Sequence, residues 1–429
     1  MKLTAVVAMA VLAAGSAHAA AKPVARDARV WAAAEKAQAA QLGLLEEVVN
    51  IDSGTGDVEG GRKVAAVLTP RLEALGMTVE KVPAEAPNLP ENIVATLKGT
   101  GKGRILLIGH LDTVFGPGTV ARWPYAVRGE RVTGPGVGDE KGGVVGGLFA
   151  LQILKDLGFK DFKQIVFLIE SSEERGSPGT RKLIDRLLAD ADVELNLEPG
   201  DAPDVITVWR KGSTVLEISV KGRAAHAGVA PQEGRNAAEE LINQLKTTHQ
   251  FPKTGDGTTL NLTVLEAGTR NNIIPEDAKA TMSLRVREKA EVDRVIGALE
   301  ASAARPTIPD TKVTVGKQTS FPPLPNNAAT DALADRAEAI YAGLGLKLGR
   351  GGNGGASESA LANEAGVPAL DGLGPVGGDF HSDKEWIDLK SVTPRLYLLT
   401  KLIMDLGKNP PPALPGRAKA GPSAEAGRP

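Results

Sequence analysis

Arg104-Ile105-Leu106-Leu107-Ile108-Gly109-His110-Leu111-Asp112-Thr113 decides the fold of this chain. Four large aliphatic residues in a row leave no polar face. The segment therefore reads as a strand buried on both sides, as in a parallel sheet covered by helices. It ends in a histidine, with an aspartate two residues on. In parallel sheets, ligand sites gather at the carboxyl ends of strands. Residues two apart on extended backbone point the same way. His110 and Asp112 thus read as a pair in which the aspartate orients a metal-binding imidazole; the alternative is a capping aspartate beside a packed histidine.

Working outward, residues 33–51 and 61–75 have helical periodicity, and short strands fall at 77–82 and 92–97. Beyond the decisive strand come a helix over 141–157, a buried strand over 164–169, a helix over 178–188 and a strand over 193–197. This alternation predicts a mostly parallel sheet flanked by helices. The pattern changes after Trp209. Strand 213–221, helix 236–246, strands 259–267 and 278–286, helix 289–301 and strand 311–315 follow in the ferredoxin-like order. The Pro-rich run Ser320-Phe321-Pro322-Pro323-Leu324-Pro325 marks a boundary. A helix over 331–343, a short strand at 368–370 and a closing helix over 392–406 complete the chain. The expected fold is α/β: a discontinuous domain over 21–210 and 321–407, interrupted by an inserted α+β unit over 211–320 that serves as a lid or dimer surface.

At 429 residues, two or three domains are expected. Charged residues make up 24% and hydrophobic ones 42%, as in a globular protein. Fifty basic against 52 acidic residues leave a formal charge of -2, with no electrostatic footprint for nucleic acid. Aromatics at 3% give no stacking platform for bases. The absence of cysteine removes disulfides, thiol nucleophiles, iron–sulfur clusters and thiolate zinc sites together. Any metal must be held by His, Asp and Glu.

Met1-Lys2, an apolar run to Ala14 and the small-residue stretch Ser16-Ala17-His18-Ala19-Ala20 read as a secretory signal peptide over 1–20. Export to the periplasm or the exterior follows, with no membrane attachment after cleavage, because the run falls short of the ~20 residues of a span. His110, His226, His249 and His381 remain. The Pro-, Gly- and Ala-rich segment 408–429 reads as a disordered tail.

Other polar residues sit where the elements end. Asp139 lies between the glycine-rich turn 134–138 and a helix; alone it reads as an N-cap. Glu173 and Glu174 follow a buried strand, where adjacent carboxylates are costly unless paired or metal-bound. One suits a ligand and the other a general base, against the alternative of a solvated acidic turn. Glu198 follows another strand, and His381 stands in the loop Gly377-Gly378-Asp379-Phe380-His381. Two histidines and three carboxylates fit a dizinc site whose bridging carboxylate spans ions ~3.5–4 Å apart. Oxygen-only magnesium or calcium sites would not recruit two imidazoles.

Taken together, Gly109-His110-Leu111-Asp112-Thr113, the stretch 134–143, Glu173-Glu174, Ala225-His226-Ala227-Gly228, Asn272-Ile273-Ile274-Pro275 and His381-Ser382-Asp383 resemble the zinc exopeptidase family of bacterial glutamate carboxypeptidases, aminoacylases and succinyl-diaminopimelate desuccinylase. The resemblance spans about 33–406, and Arg395-Leu396-Tyr397 with the stretch 402–407 is most similar to the glutamate carboxypeptidases. It implies that Asp139 bridges two zinc ions, with His110 and Glu198 completing one site and Glu174 and His381 the other. Glu173 would be the general base, and Asp112 would orient His110. His226 would stabilise the oxyanion, reaching across a homodimer. Arg285, Asn272 and Gly355 would contact substrate, Arg285 by gripping a terminal carboxylate in a bidentate pair. The family's usual Gly-Gly-Thr/Ser-Asp-Ala stretch departs here to Gly354-Gly355-Ala356-Ser357-Glu358-Ser359. No second basic pair for a glutamate side chain is evident, and spacing alone does not place Lys317 or Arg210 in that role.

The expected function is zinc-dependent release of a C-terminal amino acid, glutamate above all, from peptides, folate-like conjugates or N-acyl amino acids. The alternatives are an aminoacylase-like amidohydrolase of other selectivity and a periplasmic solute-binding protein. A phosphate-cradling loop at 349–355 lacks the preceding strand and the Gly-Lys-Ser/Thr ending that chemistry needs.

Overall fold

The computed structural model describes residues 22–246, 248–251 and 257–414, so the signal-peptide reading over 1–20 and the tail beyond 414 lie outside the described residues. His249 falls in a short turn whose side chain is likewise outside them. Of the expected tail, Lys408 closes the last helix and Leu414 donates its N–H to the Gly366 carbonyl.

Arg104–His110 lies near the middle of a six-stranded sheet. Gln164–Glu170 and Val193–Asn196 pair with it in parallel, and Ala369–Leu370 extends the parallel side. Asn92–Lys98 and Thr78–Val82 add an antiparallel edge. Ile105, Leu107, Ile165, Phe167, Val193 and Leu195 face one core, and Leu106, Ile108, Val166 and Leu168 the other. Both faces are covered, as the unbroken aliphatic runs require. Helices Ala28–Val49, Lys141–Asp156 and Leu389–Lys408 pack on the first face. Lys141–Asp156 meets the sheet through glycine: a Cβ on Gly143 would lie 1.9 Å from the Leu197 carbonyl oxygen.

The inserted unit has its own core of Leu216, Ile218, Ala280, Met282, Leu284, Val295 and neighbours. Its four antiparallel strands run Thr259–Ala267, Asp277–Val286, Gly212–Lys221, Lys312–Phe321 across the sheet, the ferredoxin-like arrangement. The last strand continues to Phe321, past the expected end at 315, because it pairs with Gly212–Lys221 along its whole length. Where the chain leaves and re-enters, Arg210 and Leu324 exchange backbone hydrogen bonds of 3.0 Å in both directions.

A third sheet, of seven short strands, was not expected. It includes Val205–Arg210 and, parallel to it, Gly349–Asn353. The stretch weighed as a phosphate loop is thus an edge strand. The sheet's other five strands have two or three residues each, too few for a readable periodicity. Among the described residues no helix is long and apolar enough to cross a membrane.

Candidate active site

The strand Arg104–His110 delivers His110 fully buried. The parallel register sets it level with Glu170, so the turn beyond Glu170 carries Glu173 and Glu174 past it. Glu198 follows Val193–Asn196 on the other side. Asp139 lies in the turn before Lys141–Asp156, joined to Glu140 by a cis peptide bond. His381 and Asp379 both adopt positive φ, 63° and 56°. Non-glycine residues hold that conformation only where the surroundings enforce it; here Asp379 accepts from Trp386 Nε1 at 3.1 Å.

These side chains converge. Asp139 sets Oδ1 3.2 Å from His110 Nε2 and Oδ2 3.2 Å from His381 Nε2. Glu174 Oε2 lies 3.1 Å from His381 Nε2. Glu198 Oε1 lies 3.6 Å from His110 Nε2, and Glu173 Oε2 4.0 Å. Among the described residues, two groupings have ligand atoms within 4.8 Å of one another: His110, Glu173 and Glu198, and His110, Asp139 and Glu174. Glu173 belongs to the first by proximity, yet it is farther from His110 than Asp139 or Glu198. That leaves it at the margin of the ligand set.

Asp112 meets His110 at Nδ1, by its backbone carbonyl before its carboxylate. His110 Nδ1 is 2.9 Å from the Asp112 backbone carbonyl, closer than the 3.5 Å to its carboxylate. An Nδ1–H donating there leaves the Nε2 lone pair free to bind a metal. The Asp112 carboxylate also accepts from the Glu173 and Glu174 amides at 3.2 and 3.4 Å and from Thr55 Oγ1 at 2.6 Å.

Crowding sets the protonation. Burial, reinforced by the Asp139 charge, pushes Glu174 and Glu198 up to about 7 each. Burial and the charge of Glu358 hold Glu173 well above the usual carboxylate range. Contacts with Asp139 and Glu174 raise His381 to about 11. Burial opposes the charge on His110, but Asp112, Asp139 and Glu198 prevail and raise it. Burial would lift Asp139, yet the two imidazoles bring it below its ordinary value. The cluster holds positive charge among its carboxylates, as protons when metal-free. Among the described residues, buried His110 Nε2 and Glu174 Oε1 make no aligned hydrogen bond. Unpaired buried donors of imidazole and carboxylate type, with no thiolate, fit zinc.

The cluster floors a cavity of about 740 Å³. Arg285, Ser213 and Gln318 reach it from the inserted unit, Arg175 and Gly355 from the main unit. Arg285 is half-buried, and burial lowers its pKa against the pull of Glu173. Gly355 lines the wall with its amide donating to Asn353 Oδ1 at 2.8 Å. His226 and Asn272 are not brought to the cavity. They lie beside each other, exposed, with the Ala227 amide bonded to the Asn272 carbonyl. The reason is strand length: Ser213 lines the cavity at one end of Gly212–Lys221, and ten residues carry the chain about 30 Å away before His226. Lys317 sits in a separate cavity, 3.8 Å from Asp293. Arg210 lines the site but is bound to Asp371.

Two residues were missed. Glu140 Oε2 accepts the His110 amide at 3.0 Å. Glu385 Oε1 accepts the Gly138 and Asp139 amides at 2.8 and 3.1 Å, and burial raises its pKa to about 8. Both are fully buried glutamates next to a candidate ligand or four residues from one. Their position beside ligands was the available signal.

Residues 106–405 match the model of peptidase family M20/M25/M40. The chain is 34% identical over 385 residues to carboxypeptidase G2 of Pseudomonas sp. (strain RS-16), covering 89% of this chain and 93% of that one. It is 28% identical over 371 residues to succinyl-diaminopimelate desuccinylase of Methylorubrum extorquens (strain PA1), covering 80% and 93%. In fold it is similar to a tripeptidase from Staphylococcus aureus, with a TM-score of 0.71 at 24% identity over 86% of this chain and 98% of that one.

Proposed function

This chain belongs to peptidase family M20/M25/M40, and we propose that it is a dizinc exopeptidase releasing a C-terminal amino acid, glutamate, from peptides, folate-like conjugates or N-acyl amino acids. It is a zinc-dependent, carboxypeptidase-like hydrolase; the two ions and the glutamate are our reading. The observation that carries this reading is Asp139, one oxygen at each of two imidazoles.

Two zinc ions held by His110, Asp139, Glu198, Glu174 and His381 would supply Lewis acidity to polarise the scissile carbonyl and acidify the attacking water. Glu173 lies beside these ligands with a raised proton affinity. Its carboxylate takes a proton from the water and returns it to the leaving amide nitrogen. Arg285 faces the same cavity from the inserted unit and grips the terminal carboxylate, which restricts cleavage to the chain end. Gly355 gives the substrate side of the wall a backbone without bulk. The distance of His226 and Asn272 from their own cavity supports a homodimer in which each serves the partner's site. The sequence pattern read as a signal peptide over 1–20 supports export to the periplasm or beyond.

The test is amino-acid release from a panel of N-acyl amino acids, dipeptides and folate-like glutamate conjugates, with zinc, with chelator and with Glu173→Ala. Zinc-dependent release of glutamate, lost in the variant, is expected. Release of other residues with little glutamate would keep the chemistry and discard the selectivity. No hydrolysis and no bound zinc would sink the reading.

A further inference from the structure

Arg210 ends the strand Val205–Arg210, the last element before the chain crosses into the inserted unit. Its side chain is 4% exposed. Nε and Nη2 donate to the two oxygens of Asp371, each at 2.6 Å, as a fork on a fork. The same Nη2 reaches Glu198 Oε2 at 3.4 Å, while Glu198 Oε1 faces His110 Nε2 at 3.6 Å. The two oxygens of this carboxylate thus face different partners. Asp371 is fixed in turn by Ser357 Oγ at 2.5 Å. Arg210 Nη1 reaches Asn353 Oδ1 at 3.5 Å, the atom that also accepts the Gly355 amide. A Cβ at position 355 would stand 3.1 Å from Arg210 Nη1.

We propose that Arg210 is the positioning residue for Glu198. It holds Oε2, so that Oε1 faces His110 Nε2, where a zinc ion would be held. Through Asp371, Ser357 and Asn353 it ties that ligand to the cavity wall around Gly355. The arrangement also accounts for the departure at 354–359: Ser357 is the residue that braces Asp371, and Glu358 turns away to accept from Asn196 Nδ2 and Ser177 Oγ. The inference rests on the dizinc reading. A lysine at 210 keeps one positive charge but lacks the planar fork, so it can serve Asp371 or Glu198 but not both with this geometry. A glutamine keeps neither the charge nor the fork.

The experiment is zinc titration of the metal-free full chain by chelator competition, for wild type, Arg210→Lys and Arg210→Gln, with the thermal midpoint of each metal-free protein alongside. One zinc equivalent is expected to bind about 10–100-fold more weakly in both variants, the range for loss of a group that orients a metal ligand. The other equivalent stays within a few-fold of wild type. Should the Arg210 variants not fold, Ser357→Ala removes only the brace on Asp371 and is expected to weaken the same single equivalent by a few-fold. Equal weakening of both equivalents, in step with a lowered midpoint, would mean a scaffold arginine and overturn the inference. So would two equivalents bound as tightly as in wild type. Wild type that takes up no zinc would sink the dizinc reading, and the inference with it.

Discussion

The backbone N–H of Glu173 donates to Oδ1 of Asp112 at 3.2 Å. One carboxylate thereby fixes the turn that carries the proposed base, and through Oδ2 the amide of the proposed ligand Glu174. The Asp112 carbonyl meanwhile holds His110 Nδ1. Asp112→Ala is expected to cost about 10–100-fold in zinc affinity and to lower kcat as well. Both variants keep the backbone carbonyl at His110; Asp112→Asn also keeps one side-chain acceptor for the turn, and should lose less zinc affinity than the alanine variant. Chelator competition and steady-state kinetics on the same preparations check both. Zinc affinity unchanged in the alanine variant would show that the Asp112 carboxylate does not support the site.

Glu173→Gln removes the proton acceptor while keeping the shape of the side chain. A drop in kcat of about 10²–10⁴-fold is expected, with zinc content unchanged. Metal analysis beside the kinetics decides the role. Loss of an ion in this variant would move Glu173 from the base to the ligand set, as its 4.0 Å approach to His110 Nε2 allows geometrically.

Arg285→Lys should raise KM more than it lowers kcat if the guanidinium grips the substrate carboxylate in both ground and transition states. The comparison that matters is a substrate with a free terminal carboxylate against its amide. Wild type should discriminate strongly, and the variant weakly. Equal discrimination in the two proteins would remove Arg285 from the binding role.

How far these assignments could be read from residue order follows from the kind of signal each one left. His110, Glu174 and Glu198 follow buried aliphatic strands, and a charged residue at such a strand end is visible in one dimension. His381 and Asp139 stand in glycine-rich turns, which flag a backbone requirement but not a direction. The Arg210–Asp371–Ser357 chain joins positions far apart in sequence, and nothing in spacing connects them. Five strands of the seven-stranded sheet have only two or three residues, too few to alternate. His226 and Asn272 were legible as motifs, but their distance from the cavity depends on the strand between them.

The protonation of the metal-free site predicts a pH dependence of stability. Glu174 and Glu198 titrate near 7 and Glu385 near 8, all above an unfolded glutamate, and His381 near 11 lies above an unfolded histidine. Each raised group keeps its proton in the folded chain at pH values where the unfolded chain has lost it. The folded state then binds more protons, and stability falls as pH rises. Lys141, lowered by burial to about 7, works the other way above that point. The metal-free protein should therefore lose stability most steeply from about pH 5 to about pH 7. Zinc affinity should rise over the same interval, because the ligands must shed protons to bind. Thermal midpoints with and without zinc across this range test both signs; a metal-free protein more stable at pH 7 than at pH 5 would contradict them.

Gly143 and Gly146 lie one turn apart on Lys141–Asp156 and should respond oppositely to alanine. A Cβ on Gly143 would lie 1.9 Å from the Leu197 carbonyl oxygen, and 3.1 Å from Glu140 Oε1. Backbone cannot yield that distance without moving the helix, and the residue after Leu197 is Glu198. Gly143→Ala should destabilise the protein by about 1–3 kcal/mol or more and weaken zinc binding through the displaced ligand. At Gly146 the nearest atom to a Cβ would be Gln41 Nε2 at 3.7 Å, ordinary contact. Gly146→Ala should gain up to about 1 kcal/mol from helix propensity, with zinc affinity untouched. Denaturant unfolding of the metal-free proteins and zinc titration of each separate the two cases. A Gly143→Ala variant as stable and as tight for zinc as wild type would mean that this helix does not set the position of Glu198.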